Sequence, residues 1–158
     1  MTDTIRKQMK MIVFQLNHEE YGISVDKVRS IEKIQVITRV PGTKPFVKGV
    51  INLRGIVTPV IDLRTRFDMQ QKPFSDSSRI IVAALDQYEV GLIVDAANDV
   101  IDLEMDEIEP APEVVGAVEA DYVEGVAKID RRLIIILDLN KVLAADNALA
   151  LQLKGFYV

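Results

Sequence analysis

Lys48-Gly49-Val50-Ile51-Asn52-Leu53-Arg54-Gly55-Ile56-Val57-Thr58-Pro59-Val60-Ile61-Asp62-Leu63 recurs later in the chain as Glu124-Gly125-Val126-Ala127-Lys128-Ile129-Asp130-Arg131-Arg132-Leu133-Ile134-Ile135-Ile136-Leu137-Asp138-Leu139. In both stretches a Gly stands thirteen positions before the Asp of an apolar-Asp-Leu ending. A second pair precedes them: Tyr21-Gly22-Ile23-Ser24-Val25-Asp26 matches Val90-Gly91-Leu92-Ile93-Val94-Asp95. The order is A, B, A, B, with an offset of 69 residues between the A elements and 76 between the B elements. Self-similarity dictates architecture before local propensity does, so the chain reads as two small related units in tandem.

Composition narrows the function. The 158 residues are 49% apolar and 27% charged, an ordinary balance for a globular chain able to bury a core. No apolar run approaches the roughly 20 residues that span a bilayer, and Met1 to Gln8 lacks the apolar centre of a secretion signal. A cytoplasmic protein without membrane insertion is expected. The absence of cysteine removes disulfides, thiolate metal sites and cysteine nucleophiles. A net charge of -5 argues against nucleic acid, whose binding rests on Lys and Arg displacing counterions, and so favours a protein partner.

Periodicity resolves the repeats into hairpins. Met11 to Leu16 and Tyr21 to Val25 flank the polar Asn17-His18-Glu19-Glu20, and Ile80 to Leu85 and Tyr88 to Val94 flank Asp86-Gln87. Gly49 to Leu53 and Ile56 to Ile61 flank Arg54-Gly55, where Gly55 supplies the positive φ of a tight turn. Pro59, lacking a backbone donor, places its strand at an exposed edge or bulge. Asp26 to Glu32 reads as a short helical turn capped by Asp26, followed by a strand from Lys33 to Thr38. Asp102 to Glu113, with Pro110 and Pro112, reads as a loop holding the second copy's extra residues. Val142, Leu143, Leu149 and Leu153 give a helix over Asn140 to Leu153. The polar Asp68 to Ser78 is the expected boundary between units. The expected architecture is all-β: a tail over 1–10, a first five-stranded barrel over 11–78, a second over 79–139, and a C-terminal helix and tail over 140–158. Units this small are marginal alone, so the barrels should share a core at their seam, which should also be the largest groove.

Catalytic machinery is not evident. His18, the single histidine, sits in a polar loop beside Glu19 and Glu20, as a solvated residue would. The carboxylates are scattered, and neither phosphate-binding glycine motif occurs, so no metal, nucleotide or other cofactor is expected. Asp62 and Asp138, each after an apolar strand, read as helix N-caps rather than a catalytic pair, and Asp26 and Asp95 fall to the same argument. Arg54 must be solvated or offered to a partner. Val50, Leu53, Ile56 and Val57 beside it suit a protein interface, or simply fill the barrel.

Phe46 to Arg64 resembles the signature of the CheW family, the coupling proteins of bacterial chemotaxis. Glu20-Tyr21-Gly22-Ile23, Thr38-Arg39-Val40-Pro41, Val94-Asp95 with Asp99-Val100, and Ile108-Glu109-Pro110-Ala111-Pro112 support it, so the likeness covers about residues 11 to 143. The resemblance implies a non-catalytic scaffold of two SH3-like five-stranded barrels. It would link the cytoplasmic tips of chemoreceptors to the histidine kinase CheA at membrane-associated arrays. It implies receptor contacts at Val28, Gly49, Asn52, Arg54 and Val100. Kinase contacts fall at Ile31 and Ile34 and at Ile56, Thr58 and Pro59, with the second barrel joining neighbouring kinases into rings. A related family, CheV, adds a receiver domain for which this sequence leaves no room. Competing readings are a small-molecule-binding barrel, a hydrolase built from scattered carboxylates, or a regulatory module of the kinase itself.

Overall fold

Each expected hairpin forms, but it builds a sheet with strands from the other copy. The computed structural model describes residues 8–85, 88–111, 114–115 and 118–144. Its strands are β1 Gln8–Leu16, β2 Glu19–Ser24, β3 Val28–Lys33, β4 Val47–Leu53, β5 Ile56–Asp62, β6 Arg79–Leu85, β7 Tyr88–Val94, β8 Ala96–Glu104, β9 Ile108–Glu109, β10 Val114–Val115, β11 Val118–Glu119, β12 Val123–Ile129 and β13 Arg132–Leu137. The helices α1 Leu63–Arg66 and α2 Leu139–Ala144 follow β5 and β13.

One sheet has the order β3-β6-β7-β5-β4, and the other β8-β1-β2-β13-β12-β9. Exchanging each strand for its repeat equivalent turns the first order into the first five strands of the second. The register obeys the same rule: β7 runs parallel to β5 with Gly91 opposite Val60, and β2 parallel to β13 with Gly22 opposite Ile136. The first barrel is therefore the continuous stretch 28–94, and the second combines 8–24 with 96–137. The expected units 11–78 and 79–139 do not coincide with these sheets. An A-B-A-B pattern states that two equivalent units exist and is silent about its phase, and here each A hairpin joins the B hairpin of the other copy.

Bulges follow the repeat too. β3 shifts register between Val28 and Ser30, as β8 does where Ala97 and Asp99 face β1; β4 shifts between Val47 and Gly49, and β12 between Val123 and Gly125. Each inserts one unpaired residue that sharpens the twist, which lets so small a sheet curl. Gly49 shows why glycine is needed there. Its φ is 145°, and an added Cβ would lie 2.1 Å from the Thr38 carbonyl oxygen, because Thr38 and Val50 exchange backbone hydrogen bonds at 2.9 Å.

The A hairpins lie between the barrels and are buried on both faces. Ile81, Ala83 and Leu85 of β6 enter a core shared with Ile12, Phe14 and Leu16 of β1, while Ile80 and Val82 fill the first barrel with Ile51, Val60 and Ile93. Met11, Leu103, Ala127 and Ile136 fill the second. Phe14, Tyr21, Phe67 and Tyr122 stack through the shared core at successive centroid distances of 5.8, 6.5 and 5.9 Å. Each such side chain contributes about 2 kcal/mol of apolar burial, so the seam holds the barrels together. The seam is filled by this core, and a cleft lined by Gln15, His18, Asp62, Arg64 and Asp95 opens beside it.

Other local expectations shift. The turn after β2 is a 3-10 turn at Val25–Lys27, so β3 begins at Val28 and ends at Lys33; Thr38 makes only an isolated bridge. Ser24 Oγ accepts the Asp26 N–H, so Ser24, not Asp26, is the cap. The presumed loop at 102–113 contains the end of β8, a 3-10 turn and β9, which pairs with β12. Strand β5 is not an edge, and Pro59 is tolerated because its parallel pairing to β7 starts only at Val60. Strand β1 reaches back to Gln8, inside the expected tail. Residues 1–7, the hairpin loop Asp86-Gln87 and the expected helix beyond Ala144 lie outside the described residues.

Candidate functional site

The β4–β5 turn presents the first barrel's most exposed chemistry. Arg54 and Gly55 both have positive φ, 53° and 85°, as a two-residue type I′ hairpin turn requires, and Asn52 Oδ1 accepts the Gly55 N–H at 2.9 Å. Arg54 Nη2 stands 3.7 Å from Glu32 Oε2 with most of its side chain in solvent. An exposed pair of that length is worth under about 1 kcal/mol, so the guanidinium is held loosely and remains available. Around it Ile31 is 40% exposed, Ile56 54% and Val57 49%. Ile56 and Val57 adjoin Arg54 in the chain, and the Arg54–Glu32 contact brings the end of β3 that carries Ile31 to the same hairpin, so exposed aliphatic groups stand near a weakly held Arg, the composition of a docking site.

The implied kinase positions separate on inspection. Ile31 and Ile56 present side chains, while Ile34 is half-buried against the first barrel's interior. Thr58 is 1% exposed and Pro59 is buried in the strand that displays Ile56 and Val57. Of the implied receptor positions, Asn52 and Arg54 share the hairpin end. Gly49 is buried at its bulge, Val28 packs on the shared core, and Val100 stands 55% exposed on β8 of the second barrel.

Sequence reading missed several features that the repeat offsets would have located. Six of the large exposed hydrophobes form equivalent pairs: Ile31 with Val100, Val36 with Met105, and Val57 with Leu133. Two ion networks also went unread. Arg132 donates from Nε and Nη2 to Glu20 at 3.0 and 2.7 Å and from Nη2 to Asp99 at 2.9 Å, and Glu20 first, then Asp99, raise its already high pKa. Arg64, nearly buried, donates from Nε and Nη2 to both oxygens of Asp95 at 2.8 and 2.6 Å and from Nη1 to the Gln70 carbonyl. Asp95 also accepts the Asn17 N–H at 2.9 Å, so it is a clamp between elements and not the expected N-cap.

Asp62 and Asp138 are the N-caps that the sequence indicates, accepting the Arg64 and Lys141 N–H groups at 3.0 and 3.2 Å. Burial raises the Asp62 pKa, and the hydrogen bond from Arg64 and the charge of Lys48, 3.9 Å away, compensate only in part. An acid whose pKa rises on folding favours the folded state when protonated. Asp62→Asn retains the cap acceptor without the charge, so its stability relative to wild type should increase as pH rises through the elevated carboxyl range and level off in acid; urea midpoints across pH 3 to 7 would show it. A flat difference would mean that Lys48 fully neutralises the carboxylate.

His18 is the second residue of the β1–β2 turn with φ 72°, and among the described residues no three His, Asp or Glu side chains converge on a metal position.

A family model described as the CheW-like domain matches residues 10–147. The chemotaxis protein CheW of Bacillus subtilis (strain 168) is 50% identical over 148 residues, covering 94% of this chain and 95% of the relative. That of Klebsiella aerogenes is 36% identical over 138 residues, covering 87% and 83%. The crystal structure of the scaffolding protein TtCheW from Thermoanaerobacter tengcongensis superposes with a TM-score of 0.80 at 38% identity, over 90% of this chain and 92% of that one.

Proposed function

The chain belongs to the CheW family, whose tandem SH3-like barrels serve as a chemotaxis scaffold, and from that premise we propose that it couples the cytoplasmic tips of chemoreceptors to the histidine kinase CheA without catalysing a reaction itself. The observation that carries this reading is the Ile31, Ile56 and Val57 surface beside Arg54. In it the kinase's regulatory domain covers the aliphatic patch, and the receptor tip takes Asn52 and Arg54 together with Val28 and Val100. Thr58, Pro59, Ile34 and Gly49 act by holding β3, β4 and β5 in place. No helix among the described residues is long and apolar enough to cross a membrane, and in this reading the scaffold works in the cytoplasm and reaches the array through its partners.

Coupling of this kind is a difference in binding free energy. A receptor shifts the kinase between two arrangements only if its signalling states bind the adaptor complex with unequal affinity. Two separable surfaces are therefore the testable core. Titrating the folded protein with a kinase regulatory domain and with a receptor cytoplasmic fragment should show that Ile31→Asp weakens the kinase at least about tenfold while sparing the receptor. Arg54→Ala should do the reverse. Absence of wild-type binding to either partner at tens of micromolar would overturn the reading.

A further inference from the structure

The chain carries a net charge of -5, yet cations gather along one side of the first barrel. The loop between the Thr38–Val50 bridge and β4 lines a cleft of about 420 Å³, where Arg39, Lys44, Lys48 and Gln71 are found. A second cleft, of about 460 Å³, shares Lys48 and Gln71 with the first and continues past Lys72, Pro73 and Phe74. The shared residues make the two clefts neighbours along one track. Arg39, Lys44 and Lys72 are exposed, and Phe74 is 42% exposed. Among the described residues Asp62 is the only carboxylate on the lining, buried and 3.9 Å from Lys48, so the track is cationic on balance.

The repeat shows that folding does not require these charges. Thr38 bridges Val50 as Glu109 pairs with Val126, so Pro110 holds the place of Arg39, and the offset of 76 residues puts Ala120 and Glu124 in the places of Lys44 and Lys48. The second barrel makes the same bridge with no cation at any of the three.

Cations gathered in a concavity focus their field into it and raise the local concentration of anions. Pro41, Pro45 and Pro73 have fixed φ, so the walls lose little freedom when a ligand orders them. Phe74 adds an apolar face of the kind that anchors interfaces. A flat bilayer cannot enter a concave track, and the acidic remainder of the protein repels anionic lipid and nucleic acid alike. An extended peptide meets neither obstacle.

We propose that this track is a third docking surface, which takes an acidic, extended segment of a partner polypeptide, with Arg39, Lys44 and Lys72 facing its carboxylates and Phe74 against an apolar side chain among them. The track adjoins Val47 and Lys48, at the opposite end of β4 from Leu53 and about 20 Å along the strand from the turn that holds Arg54. A segment held there leaves Asn52 and Arg54 uncovered.

Fluorescence anisotropy of the folded full chain with a labelled decapeptide of glutamates around one phenylalanine tests it. Arg39→Glu with Lys72→Glu should weaken binding at least about tenfold, and Phe74→Ala at least about fivefold. Lys128→Glu with Arg131→Glu makes the same change in net charge at exposed positions outside the track and should change affinity less than about twofold at about 0.15 M salt. The same peptide with glutamine for glutamate should bind at least about tenfold more weakly. Equal binding of the two peptides, equal losses from the two charge-reversal pairs, or no binding of the acidic peptide at millimolar concentration overturns the proposal. If the Arg39→Glu, Lys72→Glu pair fails to fold, Lys72→Glu decides alone. Phosphatidylglycerol vesicles should not sediment the protein, and vesicle binding without peptide binding overturns the proposal in favour of a lipid surface.

Discussion

Gly49→Ala should cost about 4 kcal/mol or more, enough to unfold a domain of ordinary stability under mild conditions, whereas Gly55→Ala should cost about 1 kcal/mol. Both glycines have positive φ, so backbone preference alone does not separate them. Space does. Nothing lies within 4 Å of a Cβ built on Gly55, while one on Gly49 would fall 2.1 Å from Thr38 O and 2.8 Å from its carbonyl carbon. That neighbour is backbone in a reciprocal hydrogen-bonded bridge with Val50, so it cannot move without breaking the closure of β4. Gly91→Ala should fall between them: its Cβ would meet Ile80 Cγ2 and Val60 Cγ1, both at 2.7 Å, but these are side chains and φ is unstrained. Urea denaturation followed by far-UV circular dichroism ranks all three. Equal losses for Gly49→Ala and Gly55→Ala would show that the bulge relaxes, and the account of how the barrel closes would be wrong.

That ranking also bears on the family resemblance, which gave Gly49 a place among receptor contacts. A receptor defect in a Gly49 variant would arise through a misplaced β4 and hairpin end, since the residue is buried and its role is conformational. Binding measured only on the fraction that remains folded would separate the two.

The fold was legible in the sequence wherever a residue had one physical option. Glycine at 22, 49, 91 and 125, Asp at 62 and 138, and the apolar hairpin strands announced two equivalent barrels and their helix caps. What stayed hidden was relational. Whether β2 continues beside β5 or β13 depends on long-range parallel pairing, which leaves no local mark, so the repeats were assigned to the wrong sheets. Pro59 was misplaced for the same reason, because its tolerance depends on where β7 begins to pair. The docking patch was partly legible, since an exposed Ile is odd enough to notice. Arg132 was not, because a charged residue on a strand looks like ordinary solvated surface until its two carboxylate partners, 112 and 33 residues away, are brought to it.

Asp95→Ala should be the most damaging change outside the glycines and cores, at about 3 kcal/mol. The loss lies on the arginine's side. Arg64 is 8% exposed, and without Asp95 its Nε and Nη2 lose the carboxylate that accepts from them, while Nη1 retains the Gln70 carbonyl. The Asn17 N–H at the tip of the β1–β2 turn loses its acceptor as well. Asp95 is itself a quarter exposed, so water recovers part of the loss, which keeps the figure at the lower end for a broken buried pair. Burial alone would raise the Asp95 pKa, but the hydrogen bonds from Arg64 and Asn17 outweigh it and hold the carboxyl below its usual range. The sign follows: a depressed carboxyl contributes stability above its unfolded pKa near 4 and loses it as pH falls through the folded value, so the gap between wild type and Asp95→Ala should be full at neutral pH and shrink in acid. Arg64→Met in the Asp95→Ala background removes the stranded charge while keeping the stem's packing, and it should recover part of the lost stability. If the double variant is instead as unstable as the sum of the singles, the two side chains act independently and the clamp is not a unit. The repeat supplies its own control, since Asp26, the equivalent of Asp95, is exposed and Asn140 stands where Arg64 would be, so Asp26→Ala should change stability by no more than about 0.5 kcal/mol.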